Sequence, residues 1–254
     1  MSALSLPTPS KEEPLQCPSR RLKADLVRSV IGLAALLLWE GFAGDLRIAT
    51  LVAAADPGLV WRSHPLLTTG LHEGGRLLAT LVLLGLLFDA FIQRRQGPSR
   101  AARGVTIGLV IVCMLLISGV KRISLTSCPW DVLDFGGAFP YVPHWPWTGS
   151  DGGPGHCFPS GHASAAFGFL PLVFLWRSHH PRRARAVLIL ILCTGIAFGL
   201  AQVLRGAHYV SHVVWTAWIC WTVSALAMAR YDGGHYRRHH GRSTVSRSEE
   251  CGTT

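Results

Sequence analysis

The chain alternates between long apolar stretches and short polar segments. Apolar residues dominate positions 26–43, 75–92, 104–120, 163–176, 186–204 and 213–229. A helix needs roughly 20 mostly apolar residues to cross a bilayer, with about 17 as the lower limit. The pattern therefore predicts an all-α protein, a bundle of six transmembrane helices. The fourth stretch is short unless residues 160–162 already belong to it.

The polar segments predict how this bundle is organised. Residues 1–24 are polar and contain four prolines, and residues 231–254 are rich in His and Arg. We expect both ends to be disordered, flanking one membrane domain at 25–230 and with no secretory signal peptide. Residues 121–162 form a long outer loop between helices three and four, and a loop of this length is usually functional. Residues 44–74 suit a segment lying at the membrane interface.

Composition supports a membrane protein and changes the interpretation of the charge. The 254 residues are 49% hydrophobic and 15% charged, and the mean hydropathy is +0.33. A net charge of +10 would suggest a nucleic-acid partner in a soluble protein. Here the basic residues lie mostly between the apolar stretches, where they orient helices in the bilayer. We therefore predict a lipid bilayer and no nucleic acid as partner.

The distribution of Lys and Arg predicts the topology. Residues 1–28, 93–103, 177–185 and 230–254 hold 18 of the 24 cations. Because cytoplasmic loops carry the excess of positive charge, both termini are predicted to be cytoplasmic. The six cations on the outer side need another explanation, and they are Arg47, Arg62, Arg76, Lys121, Arg122 and Arg205.

One cluster of reactive residues is Pro159-Ser160-Gly161-His162, where the fourth apolar stretch begins. A helix N-terminus offers unpaired N–H groups that attract a phosphate. Ser160 adds a hydroxyl group, and His162 can exchange a proton near neutral pH. The tetrapeptide alone is also compatible with a simple turn at a helix start.

A second cluster contains Arg205, His208 and His212 at the outer end of the fifth predicted helix. Such residues at membrane depth are costly unless they pair or work. On a helical path the two histidines share a face, so one can orient the other. They can also bind zinc, but no third ligand has suitable spacing, so no metal is predicted. With Lys121 and Arg122 at the end of the third helix, these clusters converge on the outer side, and their natural ligand is a phosphate.

The three clusters, in this order, resemble the type 2 phosphatidic acid phosphatase (PAP2) superfamily over roughly residues 70–230. The family pattern is Lys, six residues, Arg-Pro; then Pro-Ser-Gly-His; then Ser-Arg, five residues, His, three residues, Asp. Lys121 with Pro129 matches the first motif, residues 159–162 match the second completely, and His208 matches the histidine of the third. The resemblance extends to a bacterial subgroup with a Cys-Pro-Trp-Asp segment, and so implies a bacterial inner membrane with a periplasmic active site.

Three positions depart from the family pattern. Cys128 and Gln202 stand where the family has arginines, and His212 stands where it has aspartate. Arg205 lies one turn beyond Gln202 and can supply the missing guanidinium group. Arg122 can similarly replace the charge lost at Cys128.

The resemblance implies a mechanism that needs no metal or other cofactor. His208 attacks phosphorus and forms a phosphohistidine, while His162 protonates the leaving oxygen and then activates water. His212 orients His208, with Asp131 or Asp134 as alternative sources of negative charge. The groups expected to hold the phosphate oxygens are Lys121, Arg122, Ser160, Gly161 and Arg205.

The implied function is a lipid phosphatase, acting on a lipid mono- or diphosphate at the outer face of the membrane. Two alternatives stay open at this point. One is a lipid-to-lipid phosphotransferase that uses the same residues. The other is a catalytically inactive membrane protein that binds a lipid phosphate, which the three departures favour and the intact histidine pair opposes.

Two cysteines and two groups of outer residues complete the sequence predictions. Five of the seven cysteines lie in predicted spans or tails, which leaves Cys128 and Cys157, 29 residues apart. In an oxidising compartment these two can form a disulfide, with two free thiols as the alternative.

Two further groups of residues lie on the predicted outer side. One group either contacts substrate or caps a helix, and it consists of His72, Glu73 and Arg76. The other is expected at the membrane interface and consists of His144, Trp145 and Trp147.

Overall fold

A computed structural model describes residues 18–57, 60–92, 97–143 and 149–240. Regular structure in these residues is helical apart from one isolated bridge between Val132 and Phe139, which confirms the predicted all-α class. The helices are α1 (Pro18–Gly41), α2 (Gly44–Ala55), α3 (Val60–Ser63), a π-helical segment (Leu66–Glu73), α4 (Gly74–Phe91), α5 (Arg100–Ile123), α6 (Gly161–Phe167), α7 (Pro171–Arg177), α8 (Pro181–Leu204) and α9 (Val210–His240). The predicted interfacial residues His144, Trp145 and Trp147 lie outside the described residues.

Several of these helices can cross a membrane. Four in the described part of the chain are long and apolar enough: Leu66–Phe91, Arg100–Ile123, Pro181–Leu204 and Val210–Gly234. The number becomes five if α1 and α2, which meet at 62°, form one broken span. The protein is therefore a helical membrane protein, with four or five candidate spans where the sequence predicted six.

The fourth predicted span, 163–176, is wrong as a single helix. It forms two short helices, α6 and α7, separated by a turn at residues 168–170. Pro171 begins α7, and a proline inside a helix removes a backbone donor and clashes with the preceding turn. Gly168 also packs tightly, since a Cβ atom there would lie 2.6 Å from the Ser164 carbonyl oxygen. The break is thus set by local sequence.

Helices also extend into segments predicted to lack them. α1 begins at Pro18, inside the predicted disordered end, and α9 continues to His240. The start of α1 is held by buried Asp25, which accepts hydrogen bonds from Arg28 at 2.8 Å and from Arg177 at the end of α7. The segment 44–74, which was predicted to lie at the membrane interface without a stated conformation, is mostly helical.

The core places α6 and α7 among α5, α8 and α9. Buried side chains of these helices form one apolar cluster that includes Ile117, Phe167, Leu170, Ile191 and Cys220. Close packing of α8 depends on two glycines. A Cβ atom at Gly195 would lie 2.4 Å from the Phe167 ring, and one at Gly199 would lie 2.4 Å from Val213. Small residues therefore let α8 approach the helices that carry the reactive residues.

Candidate active site

The structure brings the two predicted reactive histidines together. His162 is the second residue of α6, and His208 lies in the turn between α8 and α9. Their ring centroids are 6.3 Å apart. A phosphoryl group can bridge two imidazoles at this separation, as a nucleophile and a proton donor acting on one substrate require.

The turn before α6 is fixed to α9 by buried hydrogen bonds. Ser160 is fully buried and caps α6, since its hydroxyl oxygen accepts from the Ala163 N–H at 3.4 Å. The Ser160 N–H donates to the His212 carbonyl oxygen at 3.1 Å, and the Thr216 hydroxyl donates to the Ser160 carbonyl oxygen at 3.0 Å. A Cβ atom at Gly161 would lie 3.5 Å from Lys121 Cδ. The lysine side chain therefore passes over the start of α6.

His208 is positioned by the C-terminal end of α8. Gly206 adopts φ 68°, a left-handed conformation that glycine favours at helix ends. Ala207 and His208 then donate their N–H groups to the Gln202 carbonyl oxygen at 2.9 and 3.3 Å. The Trp130 N–H donates to the Gly206 carbonyl oxygen at 2.9 Å, which ties this turn to the outer loop.

Cys128 and Cys157 form a disulfide, and it lies against His208. Their Cα atoms are 5.2 Å apart, and Cys157 Sγ is 3.6 Å from His208 Nδ1. His212 Nδ1 is 3.1 Å from the Cys157 carbonyl oxygen, and its ring lies edge-on to His208 with centroids 5.8 Å apart. His212 therefore contacts both the disulfide segment and the ring that it was predicted to orient.

Arg205 is held by hydrogen bonds at the C-terminal end of α8. Its Nη1 donates to the Gln202 side-chain oxygen at 3.1 Å, and its Nε donates to the Arg62 carbonyl oxygen at 3.0 Å. The Gln202 side chain therefore helps to hold the guanidinium group of Arg205 in place. Arg122 is different, because it is exposed and no described contact links it to either reactive histidine.

Burial and nearby positive charges favour the neutral form of both His162 and His208. Burial lowers the pKa of His162 to about 3, helped by the charges of His72, Lys121, Arg205 and Arg76. Burial also lowers the pKa of His208 well below its usual value; Lys121, His162 and Arg205 add to this effect, and a hydrogen bond to the Cys157 backbone opposes it. A phosphate dianion among these groups would offset the repulsion and favour a proton on one of the rings.

The carboxylates that were considered as partners of His208 have other roles. Asp131 accepts a hydrogen bond from the Cys128 N–H at 3.2 Å, and Asp134 is exposed. A different acid, Asp151, is buried in the outer loop, where it accepts from the Ser127 N–H and hydroxyl groups at 2.8 Å each. These contacts shape the loop, and no described contact joins Asp131, Asp134 or Asp151 to His208.

Sequence reasoning missed Asp45, which is almost fully buried at the start of α2. It accepts hydrogen bonds from the Trp39 indole N–H and the Ser211 N–H at 2.9 Å each, and from the Ser211 hydroxyl group. Asp45 therefore holds the first turn of α9, which carries His212. The signal available in the sequence was an acidic residue close to the end of an apolar stretch.

A metal site can be tested on the same residues. Ligand atoms of Cys157, His208 and His212 lie within 4.8 Å of one another. Cys157 is in a disulfide, however, and the ligand that zinc prefers is a thiolate. Two histidines remain, fewer than the three protein ligands of a catalytic zinc site. The donor set with the disulfide intact does not fit a metal.

The comparison with protein families agrees with this geometry. No match was found among curated proteins or among solved structures. The sequence model of the PAP2 superfamily matches residues 101–234, from α5 to α9. This region includes Lys121, both reactive histidines and the disulfide. Because the match covers more than half of the 254 residues, the chain belongs to the PAP2 superfamily.

Proposed function

We propose that this protein is an integral membrane lipid phosphatase that hydrolyses a lipid mono- or diphosphate at the outer face of the membrane. The observation that carries the proposal is the pair His162 and His208, neutral and 6.3 Å apart within a cluster of cations. Superfamily membership supports a phosphatase activity and a membrane location. The geometry supports a covalent mechanism through a phosphohistidine.

In the first step His208 attacks the phosphorus atom. Its Nδ1 is turned toward Cys157 Sγ, which leaves Nε2 as the attacking nitrogen. A new N–P bond forms, the bond from phosphorus to the lipid oxygen breaks, and His162 gives its proton to that oxygen. His162 obtains this proton when the substrate binds, since the phosphate charge offsets the surrounding cations. Lys121 and Arg205 stabilise the charge on the remaining oxygens.

In the second step water cleaves the phosphohistidine. His162 is now neutral and accepts a proton from water as the oxygen attacks phosphorus. The N–P bond breaks, and phosphate and free His208 are released. His162 ends the cycle protonated and passes its proton to solvent or to the departing phosphate, so that protons balance over the two steps.

A lipid substrate is supported by the cavity that adjoins His208. One wall consists of small and branched apolar side chains of α2: Ile48, Ala49, Val52 and Ala53. The lining also contains Trp130, with the guanidinium groups of Arg62 and Arg205 over its ring at 4.9 and 5.9 Å from the centroid, and the carboxylates of Asp45 and Asp56. Apolar side chains and two guanidinium groups in one cavity next to His208 suit a molecule with a hydrocarbon chain and a phosphate head.

The outer side of the membrane is supported by two independent features. The excess of Lys and Arg lies on the segments opposite to the site. The disulfide beside His208 suits an oxidising compartment, such as the bacterial periplasm.

The test uses purified protein in detergent micelles with a phosphatidic acid and a polyprenyl diphosphate labelled on the terminal phosphate. We expect label to appear as free phosphate, and acid-labile label on the protein after rapid quenching. His208→Ala should abolish both signals, while His179→Ala, an exposed histidine outside the site, should retain them. Full activity in His208→Ala would refute the mechanism. Transfer of label to a second lipid would indicate a phosphotransferase, and binding without release would indicate the inactive alternative.

A further inference from the structure

His72 contacts the proton donor from a part of the chain outside the family match, which covers residues 101–234. It lies at the end of the π-helical segment before α4. The centroids of the His72 and His162 rings are 3.7 Å apart, with 38° between the planes. His72 Nδ1 is 2.9 Å from a carboxylate oxygen of Glu73. The contact is therefore a tilted ring stack, and its outer member, His72, is itself held by Glu73.

The His162 ring needs such a contact because no hydrogen bond from a described residue holds its Nδ1 atom. Its Nδ1 is buried and has no hydrogen-bond partner among the described residues. A catalytic histidine usually has one nitrogen fixed by a hydrogen bond so that the other faces the substrate. Without that bond, rotation about the Cβ–Cγ bond is only weakly restricted. A flat ring packed on one face of the imidazole restricts this rotation.

We propose that His72, anchored by Glu73, is a positioning residue that holds the His162 imidazole in the orientation required to protonate the leaving group. This inference rests on the proposed function, since it assigns a role relative to that reaction. His72 acts through His162 and is not proposed to touch the reacting atoms.

The backbone around His72 supports a dedicated role. The Gly74 N–H donates to the Thr69 carbonyl oxygen, five residues earlier, as in a π-helical turn. Such turns are rare and occur frequently at functional sites, because the wider turn changes where side chains point relative to an α-helix. Here the turn ends at the residues that carry the stack and its anchor, His72 and Glu73.

The stack also has an electrostatic consequence. The charged or titratable groups around His162 are His72, Arg76, Lys121, Arg205 and His208. Two stacked imidazoles cannot both be protonated without strong repulsion. The charge of His72 lowers the pKa of His162, so the stack opposes protonation of His162 until a phosphate dianion binds. Removing the His72 charge should make His162 easier to protonate.

Three variants and one control separate the ring from its charge. His72→Phe keeps a flat ring and removes the charge, and His72→Ala removes both. Glu73→Gln weakens the anchor of the ring. His64→Ala is the matched control, because His64 is an exposed histidine just before the same helical segment and has no described contact with His162.

We expect His72→Ala to lower kcat by about tenfold, with KM changed less than about twofold, because a less well oriented His162 weakens general-acid catalysis while substrate binding is kept. His72→Phe should retain kcat within about threefold, and its pH of maximal kcat should move upward because a proton binds His162 more readily. Glu73→Gln should give an intermediate loss of kcat. His64→Ala should match the wild type in kcat, KM and pH profile.

The inference and the proposed function fail in different ways. Two results with an active wild type would overturn the positioning role and leave the phosphatase proposal standing. In the first, His72→Ala behaves like His64→Ala. In the second, His72→Phe loses as much kcat as His72→Ala and its pH profile is unchanged. If the wild type releases no phosphate from phosphatidic acid or polyprenyl diphosphate, the proposed function fails and the role of His72 falls with it.

Discussion

The disulfide between Cys128 and Cys157 allows a prediction about stability and activity together. The perturbation is the double substitution Cys128→Ala with Cys157→Ala, which removes the bond without leaving a free thiol. The matched control is Cys193→Ala, since Cys193 is a free and exposed cysteine on α8. Both variants lose cysteine side chains, and only the double variant loses the covalent link.

The expected loss of stability follows from the length of the loop. The bond joins residues separated by 29 positions. In the chain-entropy model, opening a loop of this length costs about 3–4 kcal/mol of folding free energy. For a chain of this size, such a change lowers the unfolding midpoint by on the order of 10 °C. The control should stay within about 2 °C of the wild type, because exposed substitutions rarely change stability by more than about 0.5 kcal/mol.

Activity should fall with stability because the bond holds part of the site. Cys157 Sγ packs on His208, and the Cys157 carbonyl oxygen accepts the hydrogen bond from His212. Once the link is removed, the outer loop can move away from both imidazoles. We expect kcat to drop at least about tenfold at a temperature where the variant is still folded, since small displacements of a reacting group have large kinetic costs.

The assay combines intrinsic tryptophan fluorescence during heating with phosphate release, for oxidised protein, reduced protein and both variants. Reduction of the wild type should reproduce the double variant and leave that variant unchanged. The reasoning is refuted if mass spectrometry finds both thiols free in oxidised membranes. It is also refuted if the double variant matches the control in midpoint and in kcat.

Three further predictions follow from buried groups. The pKa of His162 is about 3 in the folded protein and 6.5 when unperturbed, so between these pH values only the unfolded state takes up a proton, and stability falls as pH drops below 6.5. The unfolding midpoint should therefore be lower at pH 5 than at pH 7, and inorganic phosphate should make this difference smaller. The variant His162→Gln should also reduce the pH dependence. Asp45→Asn weakens the buried acceptor of three hydrogen bonds and should cost about 2–3 kcal/mol by chemical denaturation, whereas exposed Asp134→Asn should cost nothing measurable. Cys128→Ser frees the Cys157 thiol beside two histidines, so micromolar Zn²⁺ should inhibit this variant and leave the wild type active. Inhibition that persists in the double variant Cys128→Ser with Cys157→Ser would contradict this prediction.

The sequence by itself determined most of the helices and the local setting of the candidate reactive residues. Predicted spans 75–92, 104–120 and 186–204 correspond to α4, α5 and α8 with small shifts at their ends. Hydrophobicity averages over a local window, so it identifies a long apolar helix wherever that helix packs. It does not register a break such as Pro171, because the residues on both sides of the turn are equally apolar. For this reason the fourth span was predicted as one helix.

Short sequence motifs predicted the local arrangement of side chains as well as hydrophobicity predicted the helices. Pro-Ser-Gly-His places a cap and a histidine at the start of α6, and Arg205 lies within one turn of Gln202 whose side chain holds it. These relations follow from the geometry of a turn or a helix, which adjacent residues specify.

Only the tertiary structure decided which distant groups meet. The ring of His72 lies on His162, and Asp45 holds Ser211 at a separation of 166 residues. A residue such as His72 has the same local signature whether it caps a helix or contacts the site. Its partner depends on the crossing of helices and on close approaches such as those at Gly195 and Gly199. Packing of the whole chain sets those distances, and no local pattern contains them.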